Sequence, residues 1–182
     1  LPHQHAHRHL SDVLRIVEQS PLPAVAKAKA SAAFRLLAQA EARVHGVTVE
    51  DVHFHEVGAL DSILDVLCAM GGVERLGFEA FFTRPVELGS GWIEAEHGRL
   101  PVPAPATLGL LEGLPVREAG LAGEGTTPTG AAILAALVDG RRLPGEYTVG
   151  RSGYGAGSRD PEDRPNCLRV VACEVEPEPQ RL

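Results

Sequence analysis

The chain has 182 residues, 44% of them apolar and 23% charged, enough for one globular domain with its own core. A net charge of −7 speaks against binding a phosphate backbone, and an aromatic share of 4% speaks against a stacking surface for single-stranded nucleic acid. No apolar run approaches the roughly eighteen residues of a membrane span, so neither nucleic acid nor membrane is expected as a partner.

In chain order, "LPHQHAHRH" (residues 1–9) places histidines at every second position and reads as a flexible, histidine-rich segment. "LSDVLRIVEQS" has Leu10, Val13, Leu14 and Val17 at helical spacing, and Pro21 and Pro23 end it. Ala24 to His45 is an Ala-rich helix with Leu36, Leu37, Ala40 and Val44 on one face and Gly46 as its stop. A short alternating strand is expected at His53–Val57. Asp61-Ser62 then caps a helix to about Ala69, closed by Gly71-Gly72. "AFFTRPVEL" reads as a strand interrupted by Pro85, "GSG" as a tight turn, and "WIEAEHGRLPV" as a second strand. Pro103 and Pro105 open a helix over "APATLGLLEG", and "TTPTGAAILAALVDG" repeats that grammar with Thr127 as cap and Pro128 in the first turn. "YTVGRSGYGAGSRD" is glycine-rich, "CLRVVACEVE" is a strand, and the acidic, proline-containing tail 174–182 is expected to lack fixed structure. The expectation is an α/β or α+β fold, with mixed helices and short strands around one core spanning residues 10–173.

The densest chemistry lies in "VHFHEVGALD". In a strand, His53 and His55 point to one face and Phe54 to the other, so the two imidazoles can converge on one cation. Glu56 follows at once, and Asp61 and Asp65 share a face of the next helix. Imidazoles and carboxylates without a thiolate suit nickel, manganese or zinc, and spacing does not choose among them. The competing reading is structural, with the aspartates capping a helix and the histidines lining a strand face. His5, His7 and His9 add a segment able to collect borderline metals. Glu41 and His45 stand four apart on a helix, where His45 also suits the C-terminal dipole.

Three glycine-containing turns offer backbone N–H groups to an anion: Gly89, Ser90 and Gly91; Thr127, Thr129 and Gly130; and Gly153, Gly155 and Gly157. Each alone is as well explained by a turn closing a strand. Together, beside a metal candidate, they suggest a phosphorylated small ligand. No P-loop or dinucleotide fingerprint is present, and Ser90 lacks the frame of an activated nucleophile. Cys68, Cys167 and Cys173 form no C-x-x-C pair and read as buried thiols of a reducing cytosol.

Five blocks in one order carry a resemblance: "HRHLSD" (His7–Asp12), "DVHFHEVGALDSILDV" (Asp51–Val66), "LGSGWIEAEHGRLPVPAPAT" (Leu88–Thr107), "TTPTGAAIL" (Thr126–Leu134) and "GYGAGSRD" (Gly153–Asp160). Together they resemble the LarC family, the nickel insertion proteins of nickel-pincer cofactor synthesis. The resemblance implies a cytosolic nickel chelatase. It would insert Ni2+ into pyridinium-3,5-bisthiocarboxylic acid mononucleotide for lactate racemase-type enzymes. It also implies dependence on CTP with Mg2+ or Mn2+, through a carboxy-terminal domain beyond this amino-terminal module; further residues are expected upstream of Leu1 as well. The family supplies the reaction, while the ligand assignment above comes from the residues. Two rival readings use the same residues: a metal-dependent hydrolase of a phosphorylated small molecule, and a non-catalytic nickel-buffering or subunit-assembly module. A homo-oligomer is compatible with each.

Overall fold

The structure is a computed structural model that describes residues 8–54, 59–95, 98–118, 120–138, 143–158 and 165–175. Its chain divides into two compact units, Leu1–Arg142 and Leu143–Leu182. The fold is a mixture of five helices and short two-stranded sheets among the described residues, as expected for a mixed α and β chain.

The first unit opens with a two-residue strand β1 (Arg8–His9) that runs straight into α1 (Leu10–Gln19). α2 (Ala24–His45) is the central helix and packs against α1 and the three helices that follow. Ala26, Ala30, Ala33 and Ala38 are fully buried beside Phe34 and Leu37. Alanines at these positions let neighbouring backbones approach closely while costing no side-chain entropy. Of the face expected from the sequence, Leu37 and Ala40 are buried and Leu36 packs half-buried against the core, while Val44 in the last turn is 46% exposed. Gly46 stops the helix at φ 67°, a conformation disfavoured for residues with a Cβ, and its N–H donates to the Ala42 carbonyl.

A turn of 3-10 helix (Val49–Asp51) leads into β2 (His53–Phe54), and then α3 (Leu60–Leu76). α3 corrects the sequence expectation at both ends. Its N-cap is Ala59, while Asp61 lies inside the first turn, where its charge suits the helix dipole. It passes through Gly71-Gly72 and stops only at Gly77, φ 66°. Gly71 serves packing instead of termination: a Cβ there would lie 2.8 Å from Leu22 Cδ2, so this glycine makes room for the α1–α2 connection.

The remainder of the first unit is short and extended. β3 (Val86–Glu87), β4 (Gly89–Ser90), β5 (Trp92–Ala95) and β6 (Gly98–Pro101) precede α4 (Pro105–Leu110). β7 (Val116–Arg117), β8 (Gly123–Glu124) and α5 (Pro128–Leu137) follow. Where one strand was expected over "WIEAEHGRLPV", β5 and β6 form an antiparallel hairpin with Trp92 opposite Pro101. Gly98, at φ 92°, starts the return strand. α4 is shorter than "APATLGLLEG" suggested, ending at Leu110 with Leu111 as its C-cap. α5 begins as expected: Thr127 Oγ1 accepts from the Gly130 N–H at 3.2 Å, with Pro128 in the first turn. Thr127→Ala should therefore lose about 1 kcal/mol in urea unfolding, and Thr127→Asp should restore it. Equal stability of Thr127→Ala and the parent would show that the cap contributes nothing.

The second unit is an antiparallel pair, β9 (Thr148–Ala156) with β10 (Cys167–Glu174). The glycine-rich stretch expected to form a turn is here extended strand, with Gly153 opposite Val170 and Gly155 opposite Leu168. The cysteines also depart from expectation. Cys68 and Cys167 are exposed and Cys173 half-buried. Cys68 falls on the solvent side of α3 just after buried Val66 and Leu67, and Cys167 belongs to a ribbon whose residues are largely exposed. Residues 176–182 of the expected tail lie outside the described residues.

Candidate metal centre

Phe54 and His53 establish the parity of the motif strand. Phe54 is 1% exposed and joins the core with Val52, while His53 faces outward. Alternation along a strand requires this split once one face is buried. His55 and Glu56 lie outside the described residues, as do His5 and His7.

β2 pairs antiparallel with β1, in a register that sets Arg8 opposite Phe54 and His9 opposite His53. The two imidazole rings have centroids 4.1 Å apart, inclined at 49°. The last described histidine of the amino-terminal segment and the first of the motif therefore meet. The sequence grouped them separately, and only the period-two spacing of His3, His5, His7 and His9 hinted at a strand. His9 is held at its own end too, since its N–H donates to Asp12 Oδ2 at 3.3 Å and Asp12 also pairs with Arg15.

Asp61 and Asp65 are exposed at the start of α3, and the Ser62 N–H donates to Asp61 Oδ1 at 2.9 Å. Among the described residues no group of three or more His, Cys, Asp or Glu side chains assembles that could hold a metal. His45 Nε2 instead lies 3.4 Å from Glu41 Oε2 on the far end of α2.

The segment leading into the second glycine turn meets the first. β4 pairs with β8, placing Gly89 opposite Glu124 and Ser90 opposite Gly123. The contact is so close that a Cβ on Gly89 would lie 2.0 Å from the Gly123 carbonyl oxygen, and one on Gly125 would lie 2.7 Å from the Glu87 carbonyl oxygen. Thr126 Oγ1 donates to that Glu87 carbonyl at 2.7 Å, and Ser90 Oγ donates to the Leu121 carbonyl at 2.9 Å. Glu87, which the sequence did not single out, organises the junction: its carboxylate accepts from the Gly89 N–H at 3.4 Å and pairs with Arg117 Nε at 3.3 Å. The amides of Gly89 and Gly130 thus already donate within the protein. Gly153 and Gly155 belong to β9 in the second unit, with Gly157 just after it.

The family model described as nickel insertion protein matches residues 1–181. The chain belongs to this family. A relative from Geotalea daltonii, named for nickel insertion, is 52% identical over 169 residues, covering 93% of this chain and 43% of its own length. The pyridinium-3,5-bisthiocarboxylic acid mononucleotide nickel insertion protein of Desulfitobacterium hafniense is 47% identical over 171 residues, covering 94% of this chain and 42% of that protein. A Myxococcus xanthus relative, also named for nickel insertion, is 49% identical over 173 residues, covering 94% and 44%. The chain therefore spans less than half the length of these curated relatives. No solved structure matches it. Among the described residues no helix is long and apolar enough to cross a membrane.

Proposed function

We propose that this chain is the metal-handling portion of a nickel insertion protein that loads Ni2+ into pyridinium-3,5-bisthiocarboxylic acid mononucleotide. The observation that carries the reading is the outward-facing His53 of β2, opposite buried Phe54, in a chain of this family. Nickel is here the cargo. His53 and His55 are assigned as imidazole ligands, with His5, His7 and His9 as further metal-collecting residues. Glu56, Asp61 and Asp65 are assigned as carboxylate ligands or as groups that orient the imidazoles. The thiocarboxylate sulfurs of the mononucleotide are softer than imidazole and draw the ion off in a ligand exchange.

The anionic substrate is assigned to the side of the first unit where the Gly89–Gly91 turn and the Thr127–Gly130 helix start are joined by the β4–β8 ladder. Thr129 is assigned as a polar group facing it, while the Ser90 hydroxyl already donates to the Leu121 carbonyl. Gly153, Gly155 and Gly157 have no part in this assignment, since the first two lie in extended strand. CTP, with Mg2+ or Mn2+, is assigned to the longer protein, and the three free cysteines suit a cytoplasmic setting.

The test is nickel transfer by the longer protein supplied with CTP. His53→Ala combined with His55→Ala should lower transfer about a hundredfold, with little change in melting temperature. A double variant that stays folded and fully active would make the motif structural. Turnover of a chromogenic phosphate ester without nickel transfer would instead favour a metal-dependent hydrolase.

A further inference from the structure

We infer that His9 and His53 together bind one borderline divalent metal ion as a cross-strand pair of imidazole ligands. The inference deepens the nickel reading by naming a ligand pair, and rests on that reading only for the identity of the physiological ion. The two residues are remote in sequence and are brought opposite each other by the β1–β2 register, with ring centroids 4.1 Å apart.

Both backbones are anchored independently of any metal. β2 is fixed from beneath by buried Phe54 and Val52. His9 is the N-cap residue of α1, with its N–H on Asp12. A site held from two sides loses little freedom on binding, which favours affinity.

The separation is within reach of a shared ion. With a metal–nitrogen distance of about 2.1 Å, two imidazoles on one ion have centroids about 4.6 Å apart at a right angle and about 5.3 Å at a tetrahedral angle, so the rings at 4.1 Å need to part only a little to admit a borderline divalent ion. No third His, Cys, Asp or Glu completes the group among the described residues. The alternative is a stacked surface pair that contributes a few tenths of a kcal/mol to the ladder and ignores metals.

A double-variant cycle read by Ni2+ titration calorimetry separates these. The background carries His3→Ala, His5→Ala and His7→Ala, so that the amino-terminal segment does not bind on its own. His9→Asn retains a good capping residue, and His53→Thr retains a good strand residue, so that both variants keep the fold. Each single change should weaken Ni2+ binding about tenfold or more, and the double variant should be little weaker than either single one, because each removes the same chelate. Unchanged Ni2+ affinity, or losses that simply add in the double variant, would overturn the shared site. Thermal melting of the metal-free variants identifies any loss that is only unfolding. The titration contains neither mononucleotide nor CTP, so failure of the insertion reading leaves its outcome untouched.

Discussion

Gly89→Ala should destabilise the first unit by about 4 kcal/mol or more, placing it among the exceptional single substitutions. Two effects combine. The residue sits at φ 82°, which disfavours any Cβ, and that Cβ would lie 2.0 Å from the Gly123 carbonyl oxygen and 2.6 Å from the Gly125 nitrogen. Both obstacles are backbone, so no side chain can swing aside. The β4–β8 ladder must separate, and with it the Thr126 bond to Glu87. Gly91 supplies the control. It has φ 96° but nothing within 4 Å of its Cβ position, so Gly91→Ala should cost only the backbone strain, about 1–2 kcal/mol. Urea unfolding of the two variants isolates the clash. Equal losses at the two positions would mean that the ladder is not as tight as described.

Phe54→Ala should lose roughly 3–5 kcal/mol, the usual cost of emptying a buried aromatic site. Phe54 is 1% exposed and among the largest fully buried side chains. Its neighbour behaves in the opposite sense: His53→Ala removes an outward-facing imidazole and should cost about 1 kcal/mol or less. Melting curves of the two variants, with Ni2+ binding measured on each, report stability and metal handling separately. Phe54→Ala should bind nickel in proportion to its folded fraction, while His53→Ala stays folded and binds it poorly. If His53→Ala unfolds and Phe54→Ala melts normally, β2 faces the other way and the metal assignment fails with it.

Much of the helical framework was legible in the residues because its signals are local. The Ala-rich run to Gly46 reported α2, and Thr127-Pro128 reported the start of α5, since caps and periodicity act within one or two turns. The split of "HFHE" between a buried aromatic and an outward histidine followed from strand alternation alone, and the five ordered blocks carried the family. Tertiary structure decided what those residues meet. Gly71-Gly72 looked like a helix stop, yet α3 runs through it, and Gly71 is glycine because Leu22 occupies the space a side chain would take. Gly89 looked like a turn residue open to an anion, yet it is glycine because another backbone crosses it. Gly153 and Gly155 looked like a turn, yet pairing with β10 keeps them extended. His9 and His53 carry no sequence sign of each other. Their meeting depends on strand register, and register is fixed by which distant face is buried, information that no short window of sequence contains.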